Sequence, residues 1–484
     1  MKDFLRKWRL PLVSLALFIG FKILYPYPDF FQDSLNYIQW GLDDLKIAFR
    51  PLGYTQFLMA MKSFPGSTHF VIVFMQWALH VVAAIFFCRT IFRIWSLARP
   101  LRVVIYACTL FNPLAYFLLN LVNPDSLFIS LTAIWLAAML RFFFVEEKKW
   151  WMLGIQAVAF LCLFHLRYNA LYYPFFGAAA VLICARSIRE KLIYAAASII
   201  VFAGLYNAAL SNAEEHTGAR LLSGFGGWAM ANNALHIYRL QAVDSDLWEE
   251  PEEQLFGQAA STFKDSILNE GTPTDQFLWN KNSALKQYLF AQIGQGRYPG
   301  GYLEGWWQVS ELYNDCGTKL IRAYPGAFVQ SYFWPNLKSF FLPRAEALEN
   351  YDVSALTMSP EMQDFLDYQK PPKAPEVVPG LLGNTVNAIR YLYAVITPLT
   401  MLAAFGFIGL YAREFLRRRR RPEAPVTAGF ILSLFYLATV LLLTFAHPIM
   451  LRYVSLPFLY SAPLIVLFIH TIRMPRTAAA APAA

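Results

Sequence analysis

The chain has 484 residues, of which 57% are hydrophobic, 17% aromatic and 15% charged. That is too apolar for an ordinary soluble protein, in which about a quarter of residues are charged. The net charge of +9 does not point to nucleic acid, because the basic residues sit in short breaks between apolar runs: Lys2 to Arg9, Arg89 to Arg102, Arg141 to Lys149, Arg186 to Lys191, Arg413 to Arg421, and Arg473 with Arg476. This is the positive-inside pattern of a polytopic membrane protein, and the run Arg417 to Arg421 is expected to face anionic lipid.

The N-terminus carries a basic segment and an apolar run from Leu10 to Leu24, followed by Tyr25-Pro26-Tyr27-Pro28 in place of a small-residue cleavage site. This reads as an uncleaved first span. Apolar runs long enough to cross a bilayer, which takes about 20 residues, then lie near 68–92, 103–122, 125–145, 150–166, 169–187, 191–211, 386–412, 427–447 and 452–473. The expected fold is thus an all-α polytopic membrane bundle of about ten transmembrane helices. With the basic breaks in the cytoplasm, both termini lie inside. Residues 27–67, 121–124, the turn His165 to Asn169, the segment 212–385 and the turn 447–452 lie outside.

Four parts are expected: an N-terminal transmembrane module over 1–211, an extracytoplasmic domain over 212–385, a C-terminal transmembrane module over 386–476, and a disordered tail over 477–484. Residues 212–380 contain 12 Lys and Arg against 21 Asp and Glu, a net of −9, with Trp228, Trp279, Trp306, Trp307 and Trp334 to supply a core. A soluble domain that is mainly α, or α/β, is expected there. The prolines of Lys370 to Pro375 predict a linker back to the membrane. The five cysteines form no disulfide framework and no CxxC pattern.

Polar groups that could do chemistry gather at the external ends of the spans. In the first loop, Leu35, Ile38, Leu42 and Leu45 share one helical face, predicting a surface helix over 34–48. Asp33 stands at its start, where it either caps the helix or does chemistry. Asp125 follows Asn123-Pro124 at the start of a span, with the same two readings. Arg50, Arg167 (after His165) and Arg452 (before Tyr453) bring guanidiniums to the same side. A guanidinium suits phosphate, and an ionisable group at membrane depth is costly enough to point to function; the bland alternative is a snorkelling cation. Gly224-Phe225-Gly226-Gly227-Trp228 is either a loop closing on a sugar or a structural turn, and the turn is the commoner use. Gln76 and His80 share a helical face, consistent with interhelical hydrogen bonding. His216 and His236 lack metal-ligand spacing.

Asp33-Ser34-Leu35-Asn36-Tyr37 followed by Arg50-Pro51-Leu52-Gly53-Tyr54 resembles the first-loop pattern of GT-C superfamily glycosyltransferases, in particular the protein mannosyltransferase and aminoarabinose transferase group. Asp125 in Asn-Pro-Asp-Ser-Leu and Arg452-Tyr453 before the last span are similar to recurrent positions of that family. Ser34 stands where the second acid of a pair is often found. The resemblance implies an enzyme of a bacterial inner or plasma membrane that moves a sugar from a polyprenyl-phosphate donor to an extracytoplasmic acceptor, whether protein, lipid or glycan. It implies inversion with Asp33 as general base, Asp125 as a second catalytic acid, and Arg50, Arg167, Arg452, Tyr37, Tyr54 and His165 at the donor phosphate. No cofactor is required by the sequence, and a divalent cation at the acids stays open. A transporter or flippase of lipid-linked saccharide, an O-antigen ligase or polymerase, and a non-catalytic receptor are the competing readings.

Overall fold

The computed structural model describes residues 2–145, 149–250, 252–254, 256–257, 260, 276–348, 350–351, 358–368, 378–418 and 422–473. The Lys370 to Pro375 linker and the 477–484 tail lie outside the described residues. Among those described, all regular structure is helical, and seven helices are long and apolar enough to cross a membrane: Thr68–Ile94, Arg99–Asn120, Asp125–Phe144, Ile188–Thr217, Gly380–Arg417, Ala424–Ala446 and Leu451–Arg473. This is the architecture of an integral membrane protein. Lys2–Leu24 precedes them. Two further runs expected to span, Trp150–Leu166 and Tyr168–Ile183, are apolar but shorter.

The reason for that shortness is local. The helix ending at Leu166 stops because Arg167 turns out of it into an extended conformation, with φ −156° and ψ 134°. Pro174 then restarts a helix at its first turn, where a missing N–H costs nothing. Proline breaks two other spans in the same way. The Arg99–Asn120 span divides at Asn112, whose side chain caps Leu114 N at 3.0 Å before Pro113, and the last span divides before Pro463. At the other extreme, Val378–Arg418 runs unbroken for 41 residues. At ~1.5 Å per residue it is about 60 Å long, roughly twice the hydrocarbon thickness of ~30 Å.

A second buried core runs from Ala213 to Tyr332. Its centre is Trp228 stacked on Trp306 at 3.8 Å and 8°, with Tyr313 edge-on to Trp228 at 4.9 Å. Two helices carry it, Gly226–Leu235 and Gly301–Ala323. Their close approach depends on Gly227, where a Cβ would fall 1.7 Å from the Ser310 carbonyl oxygen. The glycine-rich stretch is therefore a packing feature, while Phe225, Gly226 and Gly227 also line a cavity.

This unit is stitched to one end of the bundle through the C-terminal end of the Ala424–Ala446 helix. The Asn233 amide donates to Phe445 O at 2.7 Å. Asn336 donates to Thr444 O and His447 O and accepts from Ile449 N. Asn336 thereby fixes the turn that leads to Arg452.

A candidate anion-handling site at one end of the bundle

Three backbone approaches bring the first loop onto the ends of the spans, and a fourth draws in the segment around residue 346. Asp29 N donates to Asn120 O at 2.8 Å and Val122 N donates to Asp29 O at 2.9 Å, zipping the loop onto the turn before Asp125. Gly53 lies so close to the end of the Lys149–Leu166 helix that a Cβ would stand 2.3 Å from His165 O, and this brings Arg50 towards Arg167. Leu451 N donates to Arg344 O at 2.7 Å, drawing the segment around residue 346 over Arg452.

The predicted surface helix forms over Gln32–Leu42 and buries Leu35 and Ile38. It ends earlier than the apolar spacing allows, because Asp43 and Asp44 follow and Asp44 adopts φ +49°. Asp33 does not cap it. The N-cap is Phe31, whose N–H donates to Ser34 Oγ, and the Asp33 carboxylate turns instead to Arg50 Nη1 at 2.5 Å and Arg452 Nη2 at 3.7 Å. Asp125 is not a side-chain cap either. Asn123 Oδ1 accepts from Asp125 N, while the Asp125 carboxylate meets Arg167 at 2.7 Å and Arg452 at 3.5 Å.

The result is one continuous network. Arg452, 4% exposed, touches three carboxylates: Asp33, Asp125 and Glu346, the last at 2.7 Å through Nε. The Tyr453 ring lies against both Arg452 and Arg167, whose guanidinium carbons are 4.3 and 5.4 Å from its centroid. Phe31 covers Arg452 at 4.9 Å. Burial alone would raise the Asp33 pKa, but the guanidiniums of Arg50 and Arg452 outweigh it and hold the carboxyl below the usual range. His447, at the end of the Ala424–Ala446 helix, is pushed down to about 3 by burial and then by Arg167, Arg50 and Arg452, so its imidazole is neutral at ordinary pH.

A cavity of about 1030 Å³ opens on this network. Asp33, Tyr37, Arg50, Arg167, Arg452, Glu346 and His447 line its charged end. Phe49, Phe225, Trp279 and Trp306 form an aromatic wall, with Ser310, Glu311, Asn314 and Asp315 beside it on the Gly301–Ala323 helix. Tyr168, Leu171, Tyr172, Leu442 and Phe445, from the ends of apolar helices, give the cavity a third and greasy side.

Three of the expected residues lie off the large cavity. Asp125 does not line the large cavity; it is 3% exposed and lies behind Arg167 and Arg452, next to a crevice of about 30 Å³. Tyr54 is fully buried and donates to Gln76 Oε1 at 3.0 Å, while Gln76 in turn donates to Leu119 O and Leu121 O. It therefore braces the helices. The His165 side chain stays outside the cavity, and only its backbone matters here, as the surface on which Gly53 packs.

Glu346 and His447 are site residues that sequence reasoning passed over. Among the described residues, no group of three or more His, Cys, Asp and Glu side chains is assembled as a metal site. The carboxylates of the network face guanidiniums.

Fold and site together define a helical membrane protein with a buried arginine–carboxylate network at the head of an amphipathic cavity. Comparison with protein-family models, with curated proteins and with solved structures yields no match.

Proposed function

We propose that the protein is a membrane glycosyltransferase that moves a sugar from a polyprenyl-phosphate donor to an acceptor on the extracytoplasmic side. The observation that carries this reading is the meeting of Asp33, Arg50 and Arg452 on a cavity with one charged end, one aromatic wall and one apolar side. A lipid-linked sugar phosphate has the same three chemistries. Its isoprenoid suits the apolar helix ends, its phosphate suits guanidiniums, and its sugar suits aromatic faces.

In the proposed step, Asp33 accepts the acceptor hydroxyl proton as the acceptor oxygen bonds to the anomeric carbon. The bond from that carbon to the phosphate oxygen breaks, and polyprenyl phosphate leaves as an anion held by arginine. One displacement inverts the anomeric centre. A carboxylate locked between two arginines is a weak base. A donor phosphate bound at Arg50 and Arg452 adds negative charge beside Asp33 and offsets the guanidiniums that depress its pKa, so the base strengthens when donor is bound. Asp125, shielded from the cavity, keeps Arg167 and Arg452 in position.

The test is transfer of labelled sugar from a polyprenyl-phosphate-sugar in proteoliposomes containing the purified protein, run across a panel of donors and envelope acceptors. Donor-dependent appearance of product supports the reading. Uptake of intact lipid-linked saccharide without cleavage would instead favour transport.

A further inference from the structure

The arginine network is electrically balanced: three guanidiniums, Arg50, Arg167 and Arg452, face three carboxylates, Asp33, Asp125 and Glu346. An anion entering a buried neutral cluster loses its hydration and gains no net opposite charge. Phosphate can therefore bind well only if one of the resident carboxylates leaves its arginine.

The three are not equivalent. Asp125 is walled off from the cavity and held by two arginines. Asp33 is 14% exposed, lies in the first turn of a helix and also meets two arginines. Glu346 faces the cavity, has 33% of its side chain exposed and, among the described residues, meets a single arginine. Its backbone sits at φ +50°, a left-handed conformation that is costly for a residue with a Cβ. The Leu451 N to Arg344 O hydrogen bond holds the chain there, two residues upstream. The backbone is thus held, while the carboxylate borders open cavity space.

We infer that Glu346 is a resident stand-in for the ligand's phosphate: it neutralises Arg452 in the empty site and gives up that guanidinium to the incoming anion. This rests on the proposed lipid-phosphate donor and names the residue that sets how tightly the donor is held. Exchange keeps Arg452 compensated at every stage, and it places a freed carboxylate beside the bound donor. Glu346 is a positioning residue in this scheme, acting through Arg452.

The experiment compares wild type, Glu346→Gln and Glu346→Asp in detergent for binding of a polyprenyl monophosphate, with the uncharged polyprenol as control and the melting temperature recorded for each. Glutamine keeps an oxygen for Arg452 Nε but removes the competing charge. The Gln variant is expected to bind the lipid phosphate about tenfold more tightly, corresponding to ~1.4 kcal/mol, with polyprenol binding unchanged and a steeper loss of affinity with salt. The Asp variant, whose shorter side chain reaches Arg452 less well, should fall between the two. A purely structural Glu346 would leave affinity unchanged or lower it together with the melting temperature, and either outcome overturns the inference while leaving the donor reading standing if wild type binds. Failure of wild type and both variants to prefer polyprenyl phosphate over polyprenol would overturn the inference and the lipid-phosphate donor together.

Discussion

Asp125→Asn separates a buttress from a chemical group. Among the described residues Asp125 is the one carboxylate within ion-pair distance of Arg167, at 2.7 Å, and it shares Arg452 with Asp33 and Glu346. Removing one partner of a buried ion pair typically costs about 3–5 kcal/mol, because the other charge is left behind. Asparagine retains a hydrogen-bond acceptor, so the lower figure of about 3 kcal/mol applies. With an unfolding entropy of about 2.1 cal/mol/K per residue, a chain of 484 residues loses about 1 kcal/mol of stability per degree near its midpoint. The melting temperature of the purified variant should therefore fall by about 3 °C in a thermal-unfolding assay. Any loss of activity should be accompanied by that fall. An Asn variant that melts with wild type yet transfers nothing would refute the buttress and return Asp125 to the reaction itself.

Acidification should weaken the protein through His447. With a folded pKa near 3 against an ordinary value of 6.5, the unfolded chain binds the extra proton between those values. Stability is therefore unaffected above pH 6.5 and falls as pH drops towards 3, by about 2 kcal/mol at pH 5. His447→Gln should flatten that acid limb in melting curves recorded from pH 7.5 to 5, and an unaltered limb would count against the assignment. At Gly53, alanine would push its Cβ into the His165 carbonyl. Overpacking of this kind costs about 1–3 kcal/mol and should part Arg50 from Arg167, so Gly53→Ala should lose both stability and lipid-phosphate binding; full retention of both would show that the loop adjusts freely.

What was legible in the sequence has a physical pattern. Hydropathy marked seven of the ten expected spans among the described residues, and the grouping of Asp33, Arg50, Arg167 and Arg452 at span ends foreshadowed their convergence. Of the two readings open for Asp33 and Asp125, the structure does not show the cap: Ser34 Oγ accepts from Phe31 N, Asn123 Oδ1 accepts from Asp125 N, and both carboxylates face arginine. Tyr54 sits near the site in sequence but faces Gln76, since the Gly53–Met61 helix buries it against the bundle. Glu346 lies 106 residues from its partner Arg452 in a segment without periodicity. The backbone pairing of Arg344 with Leu451, and the bond from Arg390 Nε to Pro343 O at 2.7 Å, bring it there. Long-range pairings of this kind leave no mark in local composition.

The most direct test of the central claim is the rate of sugar transfer from polyprenyl-phosphate-sugar at saturating donor by Asp33→Asn, inserted in proteoliposomes and shown to bind polyprenyl phosphate. The proposed base catalysis predicts a fall of about 10²-fold or more with donor binding retained. Transfer at the wild-type rate by a variant that lacks the Asp33 carboxylate would contradict it.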